Sequence, residues 1–262
     1  MNNEAEKNAG RFLGFADIYE QARPVMPIYP VNIIKKYLGG KPDKVVDLGC
    51  GTGLSTLIWE NHCNQVIGID PNEEMLSVAR KKETGSVSFR QAFSHETGIA
   101  DDFADVVMCA QSFHWMEPTQ TLVEINRILK PNGIFAAIDY DLPPVCNWKA
   151  EKAYDELFHQ VELIEQANTA FKDSFIQWDK NNHLTNIKNS GYFRFAREIV
   201  FSNTEKCTSE RLINLALSQG IIKAGPELIS GYIAAYKNVI NDIFGDQEFD
   251  VDFCYRMRLG VK

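Results

Sequence analysis

Apolar residues fall along the first half of this chain in short unbroken runs, each closed by a polar or turn residue. The runs read as strands over 44–48, 65–70, 87–91, 104–110 and 133–139. Between them the apolar spacing changes to three and four residues, which predicts helices over 53–62, 72–83 and 119–130. A further helix, Val31 to Leu38, precedes the first strand and is stopped by Gly39-Gly40. Unbroken apolar strands mark a sheet buried on both faces, and alternation with helices at this spacing predicts a parallel, doubly wound α/β arrangement. Ligands of such sheets sit in the crevice at the carboxyl ends of the strands. Asp47, Asp70 and Gln111 all fall at strand ends.

The rhythm breaks after residue 140. Asp141-Leu142-Pro143-Pro144 signals a turn. A long helical pattern follows from Trp148 to Gln166, and Phe171, Phe175, Ile176 and Trp178 come after it. A strand is predicted from Phe193 to Phe201, then helices over 208–219 and 226–244. The last segment, Phe249 to Arg258, alternates with period two as an edge or antiparallel strand does. Three regions emerge: a leader over 1–40, a ligand-binding core over 41–140, and helical cap insertions with the final strands over 141–262.

The turn after the first strand carries the chemistry. Val45-Val46-Asp47-Leu48-Gly49-Cys50-Gly51-Thr52-Gly53 is a strand, a carboxylate and a glycine-rich loop, and the second apolar run ends on Asp70. Such a unit holds a nucleoside: the glycines allow close backbone approach, and Asp70 can accept two hydrogen bonds from a ribose diol. A dinucleotide fingerprint needs a third small residue where Leu54 or Thr56 stands. An acid at Asp47 would also repel a pyrophosphate, whereas it favours an ammonium or sulfonium. An NAD(P)-dependent oxidoreductase is thus the weaker reading of the same loop.

Asp47-Leu-Gly-Cys-Gly-Thr-Gly53 resembles the first motif of the class I S-adenosylmethionine-dependent methyltransferases. The resemblance continues through Ala104–Gln111, Ser112-Phe113-His114-Trp115-Met116 and Leu129-Lys130-Pro131-Asn132-Gly133. The Gln-x-x-His-Trp stretch is similar to the branch that includes trans-aconitate methyltransferase-like proteins. So is Tyr19-x-x-x-Arg23-Pro24 with Tyr29-Pro30, although extra residues stand between its halves. The resemblance implies a mostly parallel seven-stranded Rossmann-like sheet with an antiparallel last strand, a helical cap, and S-adenosylmethionine as cofactor. Backbone N–H groups around Gly49, Gly51 and Gly53 would meet the methionine carboxylate and Asp47 the ammonium. Asp70 would hold the ribose, with Pro71 and Met75 on the adenine and Gln111 at the crevice. The acid that many relatives carry after the third strand is missing, which leaves Ser94, His95 or a displaced Glu96 for the adenine amino group. In the family the leader folds over the pocket, so Tyr19 and Arg23 become candidate acceptor or cofactor contacts; an arginine suits a carboxylate bidentately.

Methyl transfer from a sulfonium is an in-line displacement that needs alignment and exclusion of water, and no covalent nucleophile. His114 is a candidate general base, a donor to an anionic acceptor, or a hydrogen-bonded packing residue. His62, His159 and His183 have no partner evident in sequence and read as surface or helix residues. Composition narrows the partners. The net charge of −8 and the absence of an extended basic run disfavour nucleic acid and point to a small-molecule acceptor. Six cysteines show neither C-x-x-C nor zinc spacing, so no structural metal is implied. No run approaches the ~18 apolar residues of a membrane span, and the first residues lack a signal-like apolar stretch. A cytoplasmic protein is the expectation; oligomeric state is not readable. A cofactor-binding protein without turnover remains a third possibility.

Overall fold

The computed structural model describes residue 8 and residues 20–167, 176–219 and 226–262. Tyr19, Phe171 and Phe175 lie outside the described residues. Five strands run parallel: β1 (Lys44–Leu48), β2 (Gln65–Asp70), β3 (Val87–Gln91), β4 (Ala104–Ala110) and β5 (Leu129–Tyr140). Two long antiparallel strands complete the sheet, β6 (Phe195–Cys207) and β7 (Phe249–Val261), with β7 inserted between β5 and β6. The spatial order is β3-β2-β1-β4-β5-β7-β6, so the chain reverses its direction of winding between β1 and β4. The mostly parallel, seven-stranded sheet with an antiparallel last strand is the fold expected above.

The central strands are apolar on both sides because both sides are covered. Val45 joins Val66, Val106 and Met108 in one core, which α1 (Tyr29–Leu38), α2 (Glu73–Ala79), α4 (Trp148–Ala167), α6 (Ser209–Leu217) and α7 (Pro226–Phe244) close. Val46 joins Ile67, Val107 and Phe135 in the other, beneath α3 (Pro118–Ile128) and α5 (His183–Asn189). Helix ends follow their sequence signals. Asn72 caps α2 by accepting from the N–H groups of Glu74 and Met75, and Gly39 ends α1 in the left-handed region at φ 78°.

Three readings of the pattern change. The helix expected over 53–62 is a series of tight turns around a short 3₁₀ segment, Leu57–Trp59, because Ser55 and Thr56 turn inward onto Asp47. The strands expected over Phe193–Phe201 and Phe249–Arg258 run on to Cys207 and Val261 and pair along their whole length. The outer half of β6 is polar on its exposed face, and that conceals it from a search for apolar runs. Helix α5 did not show in the pattern at all.

Gly68, in the middle of β2, faces the ring of Phe89. A Cβ there would lie 2.5 Å from that ring and 2.9 Å from Cys50 Sγ. Gly68→Ala is therefore expected to lower stability by roughly 1–3 kcal/mol, the usual range for overpacking, measured by urea unfolding.

Candidate functional site

The carboxyl ends of β1 and β2 carry two buried acids with different local duties. Asp47 Oδ2 accepts from Ser55 Oγ and Thr56 Oγ1, both at 2.7 Å, while Oδ1 is buried without a hydrogen-bond partner among the described residues. Burial pushes its carboxyl up to about 7, against the pull of the two hydroxyls. Asp70 Oδ2 accepts from Gly51 N–H at 2.9 Å and Oδ1 from Asn72 N–H at 2.8 Å. It too is raised by burial, to about 6.

The three loop glycines differ in what they permit. All have positive φ: Gly49 at 70°, Gly51 at 55° and Gly53 at 87°. A Cβ on Gly49 would strike Ser112, and one on Gly53 would strike the Phe89 ring. At Gly51 it would meet nothing within 4 Å. The first and third glycines serve packing, and the second leaves the backbone bare toward open space.

A cleft opens at the reversal point between β1 and β4. Its walls include Gly49, Cys50, Ser55, Gln111, Tyr140 and Arg23. The structure thus brings together Arg23, Gly49 and Gln111 from the residues singled out in sequence. Gln111 adopts φ 54°, an uncommon conformation for a non-glycine residue. Its Nε2 donates to the Tyr140 carbonyl at 3.0 Å, and its Oε1 accepts from Lys180 Nζ at 2.8 Å. Arg23 spans from leader to cap. Nη1 donates to Tyr140 Oη at 2.8 Å, Nε to Ser218 Oγ at 3.0 Å and Nη2 to the Ser218 carbonyl at 3.1 Å. Lys82 holds the leader down on the glycine loop, pairing with Glu20 and donating to the Thr52 carbonyl at 3.0 Å.

Other candidates stand apart from the cleft wall. Met75 is a buried core residue of α2, and Pro71 uses its carbonyl to accept from Gln91 Nε2 at 3.0 Å. Ser94 Oγ is hydrogen-bonded to Thr121 Oγ1 at 2.9 Å, and His95 stacks on Phe93 with centroids 5.6 Å apart.

His114 is also behind the wall, in a cluster that sequence reasoning missed. Its Nδ1 faces Asp139 Oδ1 at 3.4 Å, and His183 Nε2 lies 3.7 Å from Asp139 Oδ2. His183 is therefore a buried partner of the site and not a surface residue, because α5 folds back onto the end of β5. Arg258 donates to Asp139 at 3.1 Å and to Glu198 at 2.8 Å; Lys180 approaches Asp139 at 3.5 Å. The His114 ring, then Lys180 and His183, hold Asp139 well below the usual carboxylate range despite its burial. The ligand-type atoms of His114, Asp139 and His183 lie within 4.8 Å of one another, a spacing compatible with a metal ion. Arg258 and Lys180 already compensate the carboxylate, which sets their charge against a further cation.

Burial keeps both imidazoles neutral. His114 is lowered to about 4, with Lys180 adding to the effect and Asp139 opposing it. His183 is lowered to about 4 by burial, again opposed by Asp139. Each folded-state value lies below the ordinary 6.5, so protonation is deferred to more acid pH. In an NMR titration of the ring resonances, neither histidine is expected to titrate between pH 8 and roughly 5, a window set by the depressed values.

Residues 46–137 match the family model described as a methyltransferase domain. The chain is 35% identical over 132 residues to the probable S-adenosylmethionine-dependent methyltransferase CRG1 of Saccharomyces cerevisiae, across 48% of this chain and 45% of that protein. It is 24% identical over 269 residues to a candidate methyltransferase of Dictyostelium discoideum, across 96% of this chain and 95% of that protein. The chain spans about half the length of the first curated relatives it matches. Among solved structures, a candidate type II methyltransferase from Anaeromyxobacter dehalogenans shares the fold, with a TM-score of 0.69 at 18% identity over 91% of this chain and 97% of that one. The segment that carries the glycine loop, Asp47 and Asp70 is thus similar to a methyltransferase domain, and the fold around it is shared along most of the chain.

Proposed function

We propose that this protein transfers a methyl group from S-adenosylmethionine to a small-molecule acceptor by direct in-line displacement. The observation that carries the reading is the orphaned Oδ1 of Asp47 beneath a glycine loop whose middle glycine faces open space. A buried carboxylate oxygen without a partner is costly unless something completes it, and the ammonium of a methionine moiety does so by charge and hydrogen bonding. Gly51 leaves room for close approach of a ligand to the loop backbone. Asp70, already oriented by Gly51 N–H and Asn72 N–H, keeps further lone pairs for ribose hydroxyls. The sulfonium supplies an activated methyl group; the chain's own part is to bind, align and exclude water.

The leader is the lid in this reading. Arg23 ties it to Tyr140 on β5 and to Ser218 on the cap, and Lys82 ties it to the glycine loop. Arg23 stands on the acceptor side of the cleft, with Tyr19 as a further acceptor contact, and Gln111 at the crevice borders the cofactor. Gly49 and Gly53 shape the loop that carries the cofactor, Pro71, Ser94 and His95 are the candidates for its adenine end, and Met75 supports α2 from the core. His114 supports the wall from behind, as a neutral packing residue beside Asp139. The trans-aconitate methyltransferase-like branch rests on the Gln111-x-x-His114-Trp115 stretch and the leader, and cytoplasmic location rests on composition. Among the described residues no helix is long and apolar enough to cross a membrane.

Calorimetric titration with S-adenosylmethionine, S-adenosylhomocysteine and NAD⁺ tests the class: the first two should bind at micromolar strength and NAD⁺ should not. No binding of either adenosyl ligand, once any copurified ligand is removed, would end this reading. Asp70→Ala should weaken both adenosyl ligands at least tenfold, through lost hydrogen bonds worth about 1.5–3 kcal/mol to a charged acceptor, while the protein stays folded by circular dichroism. Binding should also depend on pH. The free carboxyls sit at about 7 and about 6, and the complex needs both ionised. Affinity is then full above pH 7 and falls as pH drops through those values. Binding near neutrality should release protons, seen as a buffer-dependent heat.

A further inference from the structure

A row of aromatic rings crosses the sheet beside the cleft. Tyr140 on β5, Tyr255 on β7 and Phe201 on β6 stand on one rung, Tyr140 paired with Tyr255 and Tyr255 with Phe201. The Tyr255 ring lies 5.7 Å from Tyr140, edge to face, and 5.1 Å from Phe201 in a near-parallel stack. Tyr29 of α1 closes the row on Phe201 at 4.9 Å. Packing from both sides fixes the ring of Tyr255, which is 2% exposed and belongs to the cleft wall.

Its hydroxyl is the exception in that wall. Ser55 Oγ donates to Asp47, and the Gln111 amide is held at one end by the Tyr140 carbonyl and at the other by Lys180. The Arg23 guanidinium is committed to Tyr140 and Ser218. Of the wall's side-chain oxygen and nitrogen atoms, Tyr255 Oη alone is buried without a hydrogen-bond partner among the described residues. A buried phenol normally finds a partner, and leaving it unpaired costs free energy. Burial pushes the phenol up, with Glu205 and Tyr140 adding to the effect and Arg211 opposing it. Glu205 and Arg211 are themselves paired, at 2.5 Å. The hydroxyl thus keeps a proton to donate and has no acceptor for it. Much of the remaining wall is apolar: Pro24, Met26, Leu54, Ala110 and Ile138. An apolar wall with one available polar group selects a ligand of the same pattern.

We propose that Tyr255 is a specificity-determining residue of the acceptor site, its hydroxyl donating a hydrogen bond to an uncharged oxygen or nitrogen of an acceptor whose body is otherwise apolar. The inference rests on the methyltransferase reading and deepens it. An acceptor seated against the ring removes the cost of the unpaired hydroxyl. Stability and recognition are then opposed at this position, since phenylalanine would pack as well and leave nothing unpaired. Tyr255 has no signal of its own in sequence. It is one inward residue of a period-two run, and only the insertion of β7 beside β5 sets it in the cleft.

Tyr255→Phe removes one oxygen and keeps the ring, so the fold is retained. Without ligands the variant should unfold at a higher urea concentration than the wild type, because a buried unpaired hydroxyl is gone. The full chain loaded with S-adenosylhomocysteine is then titrated calorimetrically with three probes. These are p-cresol, 4-fluorotoluene, which is close to it in shape but lacks the hydroxyl, and the anion 4-methylbenzoate. The wild type should bind p-cresol more tightly than either of the others. Tyr255→Phe should weaken p-cresol about fivefold, the scale of one neutral hydrogen bond, and change 4-fluorotoluene by less than about twofold. A lower urea midpoint for the variant would mean that the hydroxyl holds the structure together, and would overturn the proposal. So would no binding of p-cresol, an equal effect of the substitution on both uncharged probes, or tighter binding of 4-methylbenzoate. If the wild type takes up no S-adenosylhomocysteine, the methyltransferase reading fails separately, and the same probes on the unloaded protein still decide the role of Tyr255.

Discussion

Two hydrogen bonds to one carboxylate organise the ligand end of this molecule. Asp70, at the tip of β2, accepts from Gly51 N–H in the loop after β1 and from Asn72 N–H at the start of α2. The loop that would carry a ligand and the helix that flanks it are thereby registered to the same side chain. Asp47 does the matching work from below, gathering Ser55 and Thr56 so that the chain after the glycines coils tightly and does not extend as a regular helix. Both acids are buried, and burial raises both carboxyl pKa values. Holding them there disfavours their charged forms, and a cationic, hydroxyl-rich ligand would relieve that cost.

The far end of the crevice is built on a different principle. Around Asp139 the chain gathers Arg258, Lys180, His114 and His183 from a strand, a cap turn, a loop and a cap helix. The carboxylate stays ionised because the His114 ring and the Lys180 ammonium face it, and the imidazoles stay neutral because they are buried. This cluster ties the cap to the sheet and sets the position of Gln111 through Lys180.

Leader and cap meet over the cleft through Arg23. Its guanidinium joins Tyr140 of β5 to Ser218 just past α6, so a single side chain closes leader, sheet and cap against one another. An arginine suits this use because its planar fork donates in several fixed directions at once. The same side chain that suggested acceptor recognition in sequence therefore also fastens the leader to sheet and cap.

The sequence by itself determined the parallel half of the fold and the glycine-loop end of the candidate site. Strands β1 to β4 stand where the apolar runs placed them, since strands buried on both faces must be apolar throughout and turn residues mark their limits. Asp47, Asp70 and the three glycines were legible because the loop's chemistry is local, packed into a few consecutive residues after each strand. What lies beyond residue 140 was only partly legible. The long antiparallel pair was cut short because the outer half of an edge strand can be polar on its exposed face. His183, Asp139, Lys180 and Arg258 had no signal, because each is an ordinary residue on its own element, and only the docking of cap and β7 makes them neighbours. The glycine loop is written in sequence order, whereas the Asp139 cluster and the Gln111–Lys180 contact exist only where distant segments are brought together by burial of their apolar faces. Tertiary structure alone decided those.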